Sequence, residues 1–229
     1  MTHTMTLARA VLFKEWIKLR LLVWVPVIAL IAVTVDVWLT YKTIRAMHGA
    51  TALWSALVYK QDIFFANMRW VLVGGGVWFA CLQFLPECSG KRLRLLFHLP
   101  VTHRFSLYII VAVGLLLTVM LSAMGIGGLL QVCSLMGFPP ELAYLMAGSL
   151  LPWALAGMVA YCATAAIIAE PSLVRKLAFA LFGYAYVNFL GASIGFSSMS
   201  EDMWLYVLAC LPWPLCLEAA ALRVKEGRA

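Results

Sequence analysis

Apolar residues fall along the chain in six long runs, at about 21–39, 70–86, 106–135, 142–169, 177–196 and 203–222, each with few or no charges. A helix needs roughly 20 apolar residues to cross the hydrocarbon layer of a bilayer. The pattern therefore predicts an all-α, polytopic membrane protein with six transmembrane helices, folded as one transmembrane domain over 1–229. The first run carries about a dozen Leu, Ile and Val, and Asp36 lies near its end. Each aliphatic favours insertion by about 0.3–0.6 kcal/mol, and a central Asp costs at most about 3 kcal/mol, so insertion wins.

Composition agrees with that reading. Of 229 residues 64% are hydrophobic and 12% charged, and the mean hydropathy is +0.95. Soluble domains are nearer half apolar and a quarter charged, so a soluble enzyme and a disordered tail are excluded. Charge sets the orientation. With the N-terminus inside, the inner segments collect all of the 17 Lys and Arg except Lys42, Arg45, Lys60 and Arg69, as the positive-inside rule requires. Both termini are expected to be cytoplasmic. The net charge of +7 is accounted for by this topology and calls for no nucleic-acid partner. The first run is too long for the core of a cleaved signal. The six cysteines lie in the runs or beside the inner face, with no CxxC and no Cys/His metal spacing, so neither a disulfide framework nor a metal site is expected.

Residues 5–20 read as a helix ahead of the first span. Leu12, Phe13, Trp16, Ile17 and Leu19 gather on one side and Lys14, Glu15 and Lys18 on the other, with Arg9 and Arg20 on the apolar side. Such a segment lies in the headgroup layer or serves only as a positive topology anchor. Residues 40–69 are too long for a turn and too polar for a span, so they rest on the membrane or continue the flanking helices outward. Gly-Phe-Pro-Pro at 137–140 and the polar 197–202 are outer turns. Pro26, Pro152, Pro212 and Pro214 mark expected kinks.

The inner loop between the second and third runs is the most informative stretch. Leu93, Leu96 and Phe97 share one helical face, Lys91, Arg94 and His98 line the other, and Pro100 ends the segment. It reads as a short amphipathic helix on the inner membrane surface, shaped to receive a push from a cytosolic partner. The alternative is a basic loop that only sets topology.

Candidate chemistry is sparse. The four histidines lie outside the runs, which excludes bis-His heme at membrane depth. HExxH is absent. Gly90-Lys91 is followed by Arg92, and Leu85 stands where a phosphate-cradling loop needs its first Gly, so the chain carries no nucleotide-binding motif and is not expected to be an enzyme. Gln83, Gln131, Asn188 and Ser193 are among the few uncharged polar residues in the runs, with Glu218 near the inner end of the last. Ion-coupled carriers usually hold charged groups at membrane depth, so that mechanism is disfavoured. Gln83, Tyr184 and Asn188 are candidates to line a pathway, with interhelical hydrogen bonding as the alternative. Gly191 and Gly195 form a GxxxG that allows close helix approach or a dimer seam.

Three stretches carry a resemblance: Lys14-Glu15-Trp16 before the first span, Glu87-x-x-Gly90-Lys91 after the second, and Leu99-Pro100-Val101-Thr102-His103-Arg104 leading into the third. Together with the layout they resemble the membrane subunit of ABC-2-type transporters. The resemblance implies an N-terminal amphipathic elbow helix at 1–20 and a cytoplasmic coupling helix at about 88–100. Glu87 and Gly90 would shape the entry to it, with Arg92, Arg94, Pro100 and Arg104 near an ATPase. It further implies that ATP and Mg are held by a separate ATPase subunit, that no cofactor is bound by this chain, and that a second permease subunit completes the pathway. The partners would then be that ATPase, the second subunit and membrane lipids, in a bacterial inner membrane. The competing expectation is a non-transporting scaffold or anchor subunit of a larger complex.

Overall fold

The computed structural model describes residues 2–89, 103–192 and 203–226. Among the described residues the chain is helical throughout, without strands: α1 (Thr2–Leu19), α2 (Trp24–Trp54), a π-helical turn (Ser55–Tyr59), α3 (Asn67–Ser89), α4 (His103–Met136), α5 (Pro140–Gly148), α6 (Leu150–Ala169), α7 (Leu173–Gly191), α8 (Met203–Cys210) and α9 (Pro212–Glu226). Six stretches are long and apolar enough to cross a membrane: Trp24–Tyr59, Asn67–Cys88, Leu107–Met136, Pro140–Ala169, Leu173–Gly191 and Met203–Arg223. Six crossings, an even number, would bring the first and last described helices, α1 and α9, to one face of the bundle.

The first of these helices outruns its apolar stretch. Instead of ending near residue 39 it continues through the polar outer segment to Tyr59, 36 residues in all, or about 54 Å at 1.5 Å per residue. Gly49 breaks the regular geometry with φ 81° and ψ 170°, a conformation open to a residue without a Cβ. Beyond it Leu53, Leu57 and Phe65 are buried, so the segment folds against the bundle. Tyr41 meets Phe64 edge-on at 5.8 Å and Phe138 at 5.7 Å. Through those rings the 137–140 turn and the 40–66 segment cap the face opposite the termini.

The prolines act by position. Pro152 cannot donate to the carbonyl of Gly148, and the fourth span divides there into α5 and α6. Pro212 and Pro214 likewise divide the sixth span at Leu211, whose N–H turns to Leu208 O at 3.1 Å. Pro26, expected at a kink, sits in the first turn of α2, where a helix leaves the N–H unbonded in any case.

α6 is the centre of the bundle. The span that contains it is 67% buried, whereas the span formed by α7 is 11% buried. Small residues make that position tenable: Ala154, Ala156, Ala160, Ala163, Ala165 and Ala166 are all buried, and small side chains let membrane helices approach closely. α3 makes the tightest crossing. A Cβ on Gly76 would overlap the carbonyl oxygen of Gly157, and one on Gly157 would stand 2.8 Å from Leu72 O. Gly74, two residues away and on the other side of α3, has open space around it.

This contrast gives a direct test. Gly76→Ala should destabilise the detergent-solubilised protein by at least about 1–3 kcal/mol, the usual cost of overpacking. Gly74→Ala should be neutral or stabilising by up to about 1 kcal/mol, through helix propensity alone. Thermal melts of the two variants side by side check it, and equal melting would refute the crossing.

Candidate functional site: an ion-paired knot at the terminal face

α1 presents its charged side to the protein. Glu15 is fully buried, while Leu12, Phe13, Trp16 and Ile17 on the other side are exposed. The helix packs on α3 and α4, which places Lys14 and Lys18 against the last turn of α3. There Glu87, also buried, receives both ammonium groups on one oxygen: Lys14 Nζ lies 2.7 Å from Glu87 Oε1, and Lys18 Nζ donates to the same atom. Lys18 also donates to Glu15 Oε1 at 3.0 Å. Two carboxylates and two ammoniums thus neutralise one another where water is largely excluded. Buried charges are tenable only in such company.

A second pairing lies where α6 ends. Glu170, buried and extended at the C-cap of α6, accepts from Arg223 of α9 at 2.9 Å and faces Arg175 of α7 at 3.7 Å. Glu218 of α9 accepts from the Tyr108 hydroxyl of α4. Above the knot, Tyr161 of α6 donates to Gln83 Oε1 at 2.6 Å, and Gln83 Nε2 donates to the carbonyl of Ile110 on α4 at 3.2 Å. The Tyr161 ring fills the space a side chain on Gly114 would need. The geometry joins α1, α3, α4 and α6 through polar side chains within one region.

At the opposite face Arg69, in the first turn of α3, crosses to the end of α7. It donates to Gly191 O at 3.0 Å and to Asn188 Oδ1 at 3.2 Å, and its guanidinium lies 4.9 Å from the Trp70 ring centroid. Gly191 has no side chain because the guanidinium occupies that space.

The residues singled out in the sequence divide accordingly. Glu87 sits at the heart of the knot, and Gln83 spends its amide on two neighbouring helices. Asn188 and Gly191 meet at Arg69, so the close approach that Gly191 permits is made within the chain. Tyr184 is 71% exposed on α7, apart from the Gln83 cluster. Gly90, Arg92, Arg94, Pro100 and Gly195 lie outside the described residues, as does the side chain of Arg104 in the first turn of α4. Lys14, Glu15 and Lys18 share one side of α1, and that side turns inward, where Glu87 offers the two lysines a buried partner. Tyr161, Arg69 and the Glu170–Arg223 pair carried no sequence signal beyond residue type.

Compared with protein-family models, curated proteins and solved structures, the chain matches none. Among the described residues no group of His, Cys, Asp and Glu is arranged to hold a metal ion.

Removing one partner of a buried pair leaves an uncompensated charge and typically costs about 3–5 kcal/mol. Glu87→Ala should therefore lower stability by that amount. Lys14→Ala should cost about 1 kcal/mol or less, because its side chain is 41% exposed and Lys18 still serves Glu87. Chemical or thermal denaturation of both variants measures the difference, and equal losses would contradict the buried knot.

Proposed function

We propose that this chain is the membrane-spanning permease subunit of an ATP-driven ABC-2-type exporter, coupled to a separate ATPase subunit that holds ATP and Mg. The observation that carries the reading is the knot on Glu87. The charged side of α1 is fastened to Glu87 in the last turn of α3, three residues before the basic segment 90–104 begins. A push on that segment from a cytosolic partner would move the end of α3 and α1 together. Through Gln83 and Tyr161 it would reach α4 and α6.

Two further observations support it. Among the described residues the buried carboxylates Glu15, Glu87 and Glu170 stand at or next to helix ends. None of these buried carboxylates stands in the middle of a span, where ion-coupled transport usually needs one; driving energy supplied from outside the membrane fits this arrangement. The span formed by α7 has the lowest mean hydropathy of the six and is also the least buried, at 11%. A helix facing only lipid should show the reverse order, since hydrocarbon solvates no polar group. A second permease subunit covering α7, with the exposed Tyr184 toward a shared pathway, resolves the mismatch. On this reading both termini and the 90–104 segment are cytoplasmic, in a bacterial inner membrane.

The test is purification of the tagged full chain from its native host in mild detergent, with partners identified by mass spectrometry and ATP hydrolysis assayed. An ATPase bearing a phosphate-binding loop should co-purify, and Arg94→Glu should abolish its association while leaving the protein folded. A stable assembly without an ATPase would overturn the proposal in favour of a membrane anchor or scaffold.

A further inference from the structure

α1 resolves into two faces with separate tasks. Lys14, Glu15 and Lys18 are spent on one another and on Glu87. The opposite face is largely exposed: Phe13 is 65% and Trp16 64% exposed, with Leu12 and Ile17 beside them. Arg9 and Arg20 belong to this second face. At 100° per residue, positions 9, 13, 16 and 20 fall within about 40° of one line. The helical ladder reaches Arg20, whose N–H donates to Trp16 O at 2.9 Å. The two arginines, both exposed, stand three turns and about 16 Å apart, bracketing the aromatic patch. Among the described residues neither has an acidic partner.

The face runs on without interruption into the first span, where Leu21, Trp24, Val25 and Ile28 are exposed. Whatever covers that span is contiguous with whatever covers α1. Aromatic and aliphatic side chains suit the boundary between headgroups and acyl chains, and guanidinium groups pair with phosphate through parallel hydrogen bonds.

We infer that the outward face of α1 is a binding surface for anionic phospholipid: Phe13, Trp16 and Ile17 enter the acyl boundary, and Arg9 and Arg20 each engage headgroup phosphate. The arrangement also gives the two arginines, misplaced for a simple amphipathic helix, a task that the inward-facing lysines cannot perform. The inference depends on the chain being in a membrane and not on the transport reading.

The experiment uses the full chain in nanodiscs of equal parts phosphatidylcholine and phosphatidylglycerol. It is released into mild detergent, and native mass spectrometry counts the retained lipids. Wild type should retain phosphatidylglycerol in excess. Each arginine near an anionic surface is worth about five-fold in that preference, so Arg9→Gln with Arg20→Gln should lower it by up to about thirty-fold, and Arg→Lys at both positions should keep most of it. Arg45→Gln, at the other face of the bundle, should leave the preference unchanged. Equal retention of the two lipids by wild type would overturn the inference, as would an undiminished preference in the double Gln variant. Conversion of a dimer to monomer by the double variant, with lipid retention unaltered, would also overturn it and assign the face to a second copy.

Discussion

The bundle depends on one contact that no side chain makes: the backbone crossing of α3 over α6 at Gly76 and Gly157. Lipid tails are as apolar as leucine, so burial of apolar surface does not draw helices together in a bilayer. What remains is dispersion between closely packed atoms, and it grows as the backbones approach. The alanine-rich surface of α6 extends that approach along its length. Close packing leaves register unspecified, because alanines resemble one another. The Tyr161–Gln83–Ile110 hydrogen bonds at the same interface supply it. A slip of one turn would strand a buried amide and a hydroxyl, each at a cost of about 1–3 kcal/mol.

The charges answer to the same solvent. Glu15, Glu87 and Glu170 are fully or almost fully buried, and each is paired with a cation contributed by its own or another helix. The pairs join segments far apart in the chain: α1 with α3, and α6 with both α7 and α9. Ion pairing of this kind rarely adds net stability over an apolar alternative. Its effect here is to specify which helix ends meet, a task that uniformly apolar surfaces cannot perform. Because the two pairings rest on α3 and α6, which are already locked at Gly76 and Gly157, the terminal face is tied to the centre of the bundle.

The spans were legible because run length against bilayer thickness is a blunt and reliable measure. The turn at 137–140 was legible from its Gly and Pro. The far end of the first helix was not. Hydropathy falls after residue 39, but helical hydrogen bonds are indifferent to hydropathy, and no residue before Gly49 forbids them. Periodicity likewise showed that Lys14, Glu15 and Lys18 share a side of α1. A helical wheel shows which residues gather, not whether water or protein lies beyond them. The deciding partner, Glu87, is 69 positions from Lys18. Asn188 and Tyr184, four positions apart, share one face of α7, yet the group that engages Asn188 is Arg69, 119 positions away. In each case the local pattern was sound and the long-range partner was invisible.

α3 is held in three ways. At the terminal face it is bound to α1 by a buried knot whose disruption costs about 3–5 kcal/mol. In its middle it meets α6 backbone to backbone. At the opposite face a half-buried Arg69 donates to a neutral carbonyl and a neutral amide, and hydrogen bonds from a charged group to neutral acceptors contribute about 1.5–3 kcal/mol each. Together the two Arg69 bonds, about 3–6 kcal/mol, match the knot in magnitude. α3 is thus pinned at both ends and crossed backbone to backbone in between. A push on its terminal end would move α3 together with the helices it is fastened to, rather than tilt it free of any one of them.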